Sequence, residues 1–225
     1  MGLELGVLLA DDRRLAEAGE AIRSLAREPS GAALFLMDDG ARAASAPLMM
    51  ELLEAGVEVA LCAADAEARG VLPVDGGPRF GSQYDHAVMV RDARRVVALT
   101  GDGHRDDHAP PAGAGRRVVR VRLTRDVRDG KTAQALRSAV GYAACDLDVV
   151  IAVEPPARAI LDALAARSAV VSPGSGNLPQ GSRLLQSSLL QLPEAVLRAV
   201  GTLRGLGHRI APASDAPPGH LEVTW

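Results

Sequence analysis

Aromatic residues are nearly absent from this 225-residue chain: one Trp, two Tyr and two Phe make up 2% of it. Five rings supply no stacking platform of the kind that binds single-stranded nucleic acid. Lysine is scarcer still, because Lys131 is the only one among 25 basic residues, and the arginine bias reads as GC-rich coding rather than function. A net charge of −3 offers no basic field for nucleic acid or an anionic membrane surface. Two cysteines, Cys62 and Cys145, give neither a disulfide framework nor a CxxC pair. No apolar run approaches the ~18 residues of a membrane span. The N-terminus, Met1–Gly6, lacks the basic-then-apolar order of a signal peptide. A reducing, cytoplasmic setting is therefore the expectation.

What is present is a soluble composition, 48% hydrophobic and 24% charged, whose core must be built from Ala, Leu and Val. Apolar runs alternate with amphipathic stretches, the pattern of an α/β protein. Gly6–Ala10, Ala32–Met37, Val57–Leu61 and Arg95–Thr100 read as strands. Helices are expected at Arg13–Arg27, from Pro47 to Ala55, over Ala63–Gly70 and over Gly81–Val90. Residues 101–116, rich in Gly, Pro and Asp, read as a linker between a first lobe at 1–100 and a second at 117–225. After it the pattern restarts with a strand at Val118–Leu123, a helix at Thr132–Ala144 and a strand at Leu147–Val153.

The restart reads as a repeat. Leu34–Ala43 can be laid on Val150–Ala159, each with an acid at the strand end and Ala-Arg-Ala shortly after. Leu52–Ala60 likewise resembles Leu203–Ala211, which puts Ala213 at or beside the place of Cys62. Two such halves suggest an internal pseudo-dimer with mostly parallel sheets. Only the first half holds the thiol.

Cys62 ends an apolar strand, and a helical stretch follows it directly. Helix-start N–H groups there favour a thiolate, the reactive form. The competing reading is a small buried hydrophobe. Ligands of open α/β sheets gather beyond the carboxyl ends of strands, which brings Asp38, Asp39 and Gly40 toward Cys62. The two aspartates either cap the next helix or orient a partner or water. Ser82, Gln83 and His86 are further site candidates. Ser82 suits a helix cap, and His86 is a proton partner for a thiolate unless it is structural. Cys145 reads as core.

Three apparent motifs carry little. His104, Asp106, Asp107 and His108 have HxxxH spacing, but the flanking Gly and Pro favour a solvated loop, so no metal site is expected. Asp129-Gly130-Lys131-Thr132 resembles the end of a phosphate-binding loop whose first glycine is replaced by Arg125. Residues 172–182 are Gly-rich, but two prolines spoil any nucleotide fingerprint, and a helix is expected at Arg183–Leu190.

The run Gly56-Val57-Glu58-Val59-Ala60-Leu61-Cys62, with Ala66-Glu67-Ala68-Arg69-Gly70-Val71, resembles the DsrE/TusD family of small sulfur-transfer proteins. Asp38-Asp39-Gly40, Gly81-Ser82-Gln83 and Arg94-Arg95-Val96-Val97 continue the likeness, which covers about residues 31–100. Residues 117–165 have a weaker DsrF/TusC-like look. The resemblance implies two compact α/β sandwich lobes and a persulfide carried on Cys62. It implies no metal or organic cofactor, a persulfide donor and a thiol acceptor as protein partners, and self-assembly into a homo-oligomer. Two departures stand out: the second copy lacks the cysteine, and it carries a long insert at Ser172–Gln191. The alternative is a non-enzymatic binding or assembly module with a structural Cys62.

Overall fold

A computed structural model describes residues 2–100, 105–108, 117–170, 193–216 and 221–224. Residues 172–191 and 183–190, where an insert and a helix are expected, lie outside the described residues, as does His104. The chain is α/β, with two mostly parallel sheets.

In the first sheet the strands run β4-β3-β2-β1-β5-β6. They are β1 (Leu5–Leu9), β2 (Ala32–Leu36), β3 (Glu58–Cys62), β4 (Arg79–Gly81), β5 (Arg95–Leu99) and β6 (Arg105–His108). All pairs are parallel except β5 with β6. Thus 105–108, expected as linker, extends the first sheet as an antiparallel edge strand. The pairing satisfies backbone groups of β5 that an edge would otherwise leave unpaired.

Stepping from β1 to β3, the chain passes through α1 (Leu15–Leu25), a 3-10 helix at Asp38–Ser45 and α2 (Pro47–Glu54). Their apolar side chains pack with Leu5, Val7, Leu9, Leu34 and Leu36 on one face of the sheet. After α3 (Ala63–Ala68) and β4, the helix α4 (Gln83–Asp92) returns the chain to β5. A right-handed crossover in the reverse direction must use the other face, and Ala87, Met89 and Val90 indeed pack with Leu8, Phe35 and Ala60 there. Strands β1 and β2 are consequently buried on both faces.

The second sheet has the order β10-β7-β8-β9, all parallel. Its strands are β7 (Val118–Leu123), β8 (Asp148–Val153), β9 (Arg209–Pro212) and β10 (Leu221–Thr224). The helices are α5 (Gly130–Ala144), α6 (Ala159–Val170) and α7 (Glu194–Gly205). β9-β8-β7-β10 thus repeats β3-β2-β1-β5. Both α2 and α7 end on a glycine of positive φ, Gly56 at 91° and Gly207 at 83°. Each ending closes with the same pair of backbone bonds, Gly56 to Leu53 and Val57 to Leu52, against Gly207 to Arg204 and His208 to Leu203.

The strand order recurs, but one half of the sequence alignment slips by a residue. Leu36 pairs with Leu9 and Val153 with Leu123, and the next residues, Met37 and Glu154, donate to those leucine carbonyls at 3.0 Å each. Leu34 therefore corresponds to Ile151, not Val150. A one-residue slip moves a side chain to the opposite face, and strands apolar on both faces do not reveal it. The alignment of Leu52–Ala60 with Leu203–Ala211 keeps its register, so Ala213 is the counterpart of Cys62.

Helix α4 of the first half packs on α5 of the second, and β10 meets β5 and β6. By position in the repeat, α5 corresponds to α1, which lies on the far face of the first sheet. The return from β9 to β10 shows no helix among the described residues. The sheet face that α4 would have covered carries Arg120 and Arg122, which pair with Glu222 and Glu154.

Arg117 ties the lobes at the far end of α4. It is buried and donates to the carbonyls of Val90 and of Ala93, the latter at 2.7 Å. A cation is well placed at a helix C-terminus, where carbonyls lack partners. Arg117→Met is expected to lower stability by about 2 kcal/mol in urea unfolding, because two buried carbonyls lose charged donors. A change below about 0.5 kcal/mol would mean that water replaces them.

Candidate functional site

The carboxyl ends of β2 and β3 and the N-terminal half of α5 converge on one polar cluster. Cys62 ends β3 and stands immediately before α3, as its place in the sequence predicts. Its surroundings differ from the expectation. The thiol is buried, 4% exposed, and burial pushes its pKa up. The backbone N–H groups of Asp65 and Ala64 pull it down, while the Asp65 carboxylate adds to the rise. The helix-start effect exists but loses to desolvation, so the resting form is the neutral thiol. Gln83, the first residue of α4, donates from Nε2 to Sγ at 3.6 Å.

Asp38 follows β2 with φ +48°, an unusual conformation for a non-glycine residue. Neither aspartate caps the following 3-10 helix, whose start has no side-chain cap. Instead both bind cations from two directions. Arg69 Nη2 donates to Asp38 and Arg69 Nε to Asp39 at 3.1 Å. Lys131 Nζ, arriving from the second lobe, lies 3.1 Å from Asp38 and 3.8 Å from Asp39. Burial nevertheless holds the Asp38 carboxyl above its ordinary range, against the pull of Lys131 and Arg69. The capping expectation fails because these partners come from residues far along the chain.

Asp65 binds the two halves of the site together. It is buried, and one carboxylate oxygen accepts the Asp38 backbone N–H at 2.9 Å and the Gln134 amide. Gly40 lies beneath this turn, where a β-carbon would overlap the Leu9 carbonyl oxygen.

Ser82 caps α4 as expected. Its hydroxyl accepts from Tyr84 N at 3.2 Å, and Asp85 completes a capping box. Gln83 is oriented by the second lobe, since Ser138 Oγ donates to its Oε1 at 2.8 Å. His86 is fully buried, stacked on Phe35 with ring centroids 5.1 Å apart, and edge-on to Tyr142. Its Nε2 lies 3.0 Å from Tyr142 Oη and its Nδ1 3.4 Å from Gln83 Oε1. Burial lowers its pKa to about 3, so it is a neutral structural imidazole. It touches Gln83 rather than the thiol, which leaves it no direct proton transfer with Cys62.

Sequence reasoning gives no site role to Asp65, Arg69, Lys131, Gln134 or Ser138. Lys131 carries the one local signal, being the only lysine in the chain. The Asp129–Thr132 segment that resembles a phosphate loop is a helix start. Asp129 accepts from Lys131 N at 2.8 Å, and Thr132 donates to the Arg125 and Asp126 carbonyls. Asp107 of the HxxxH segment is engaged by Arg95 at 2.5 Å. Among the described residues no group of three or more His, Cys, Asp or Glu is arranged to hold a metal ion. No helix among them is long and apolar enough to cross a membrane. Cys145 is buried at the end of α5.

Neither the family models, nor the curated proteins, nor the solved structures compared with this chain match it.

Proposed function

We propose that the chain is a sulfur carrier built from two DsrE-like lobes, with Cys62 of the first lobe bearing a persulfide. One observation carries this reading: the buried thiol is contacted by an amide donor and neighboured by a carboxylate. A cysteine serving only as a small hydrophobe has no use for such partners. Ala213 at the equivalent place makes the chain a single-thiol carrier.

In the transfer step the Cys62 thiol first gives up its proton to solvent, from which the departing donor thiolate regains one. The thiolate then attacks the outer sulfur of a donor protein persulfide, R–S–SH. A new S–S bond forms at Cys62, the donor's S–S bond breaks, and R–S⁻ departs with the negative charge. An acceptor thiolate reverses the sequence on Cys62–S–SH, so no external oxidant or reductant is consumed. Because Cys62 is buried, a donor protein can reach it only after the site opens.

A second reading, a binding or assembly module with a structural Cys62, is favoured by the 4% exposure of that residue. Intact mass after treatment with a small-molecule persulfide separates the two. Wild type and Cys145→Ser are expected to gain one sulfur atom that reductant removes, and Cys62→Ser to gain none. Loading that survives Cys62→Ser, or absence of loading in wild type, would sink the carrier reading.

A further inference from the structure

Lys131, Gln134, Ser138 and Tyr142 are spaced three to four residues apart along α5, so they share one face of the helix. Every one of them meets a polar group of the first lobe. Lys131 reaches Asp38 and Asp39, Gln134 donates to Asp65, Ser138 donates to Gln83, and Tyr142 faces His86. Two of these partners, Asp65 and Gln83, act directly on Cys62. The same helix face thus fixes the groups around the sulfur.

The ladder is graded in burial. Gln134, Ser138 and Tyr142 are buried, whereas the Lys131 side chain is 31% exposed. Its solvent end is a charge pair that water can compete for, whereas the inner rungs are a buried Gln134 amide on the Asp65 carboxylate and two hydrogen bonds between side chains without formal charge. Loss of the first rung frees the N-terminal turn of α5 while Ala135, Leu136 and Ala139 stay in the core.

We propose that α5 is an intramolecular cover over Cys62, latched by Lys131 on Asp38 and Asp39, and that releasing this latch exposes the thiol by local opening. The inference rests on the carrier reading for its purpose, but its test does not depend on sulfur transfer. In a Cys145→Ser background Cys62 is the sole thiol. Its alkylation by iodoacetamide is followed at urea concentrations below the unfolding transition. Local opening leaves the rate nearly independent of urea, whereas reaction through global unfolding rises with the full denaturant slope.

Lys131→Met is expected to react at least about 10-fold faster than its parent with a flat urea dependence, a local opening eased by 1.4 kcal/mol or more. Lys131→Arg, which keeps the charge, is expected to retain the parent rate. An unchanged rate in Lys131→Met overturns the cover. So does an acceleration that follows the global slope, because Lys131 would then be an ordinary stabilising residue. Persulfide loading of the same proteins distinguishes the two failures. Faster alkylation without loading removes the carrier and leaves the cover, and loading with no response to Lys131→Met does the reverse.

Discussion

Gly40→Ala is expected to destabilise the protein by about 3 kcal/mol or more, lowering the melting temperature by roughly 6–12 °C. The added methyl would overlap the carbonyl oxygen of Leu9 and crowd the backbone of Ala10. No side-chain rotation relieves this, because the obstructing atom is backbone. That carbonyl also accepts Met37 N at 3.0 Å, and β1 is hydrogen-bonded to both β2 and β5. The turn bearing Asp38 and Asp39 would therefore have to lift away, loosening the Lys131 and Arg69 pairs as well. Thermal and urea unfolding of the variant measure the effect. A loss below about 1 kcal/mol would show that the 38–45 segment can retreat without disturbing β1.

Acid is expected to destabilise the fold through His86, with a loss from this residue of about 3 kcal/mol between pH 7 and pH 4. In the folded protein its pKa lies at about 3, against an ordinary 6.5. Above pH 6.5 the imidazole is neutral in both states and contributes no pH dependence. As pH falls below 6.5 the unfolded chain takes up a proton that the buried ring refuses, so stability declines until pH nears 3. Asp38 acts in the opposite sense, because its raised carboxyl pKa favours proton uptake by the folded form as pH falls. Asp11, Asp85 and Asp92, whose pKa values are lowered, add to acid loss at still lower pH.

Comparison of wild type with His86→Phe isolates the histidine. The variant pays a constant penalty for the lost Tyr142 contact. Its stability is expected to fall about 3 kcal/mol less than wild type between pH 7 and pH 4. Parallel stability curves for the two proteins would show that the ring becomes protonated within the fold.

Strands β1, β2, β3, β5, β7 and β8 were legible from apolar runs, and α1, α2, α4 and α5 from their amphipathic pattern and end signals. The three-residue β4 escaped because so short a segment has no periodicity. Ser82 as a helix cap was legible because a cap is a contact between near neighbours. The state of Cys62 was not. Its strand end and helix start are local, but the balance between helix-start N–H groups and burial depends on what covers them. The role of Asp38 and Asp39 was lost for the same reason, since Arg69 and Lys131 are remote.

By itself the sequence determined the alternation of strands and helices and the placement of one thiol at the end of β3. These follow from residue periodicity and neighbouring-residue chemistry, which act over a few positions. Only the tertiary structure decided that the lobes meet through α4 and α5, that Cys62 is closed, and that Lys131, Gln134 and Ser138 belong to its surroundings. Gln134 and Asp65 are 69 positions apart, Ser138 and Gln83 are 55 apart, and Tyr142 and His86 are 56 apart. Pairings over such separations come from how two apolar helix faces share one core, and no local pattern in the chain encodes which polar groups that packing brings together.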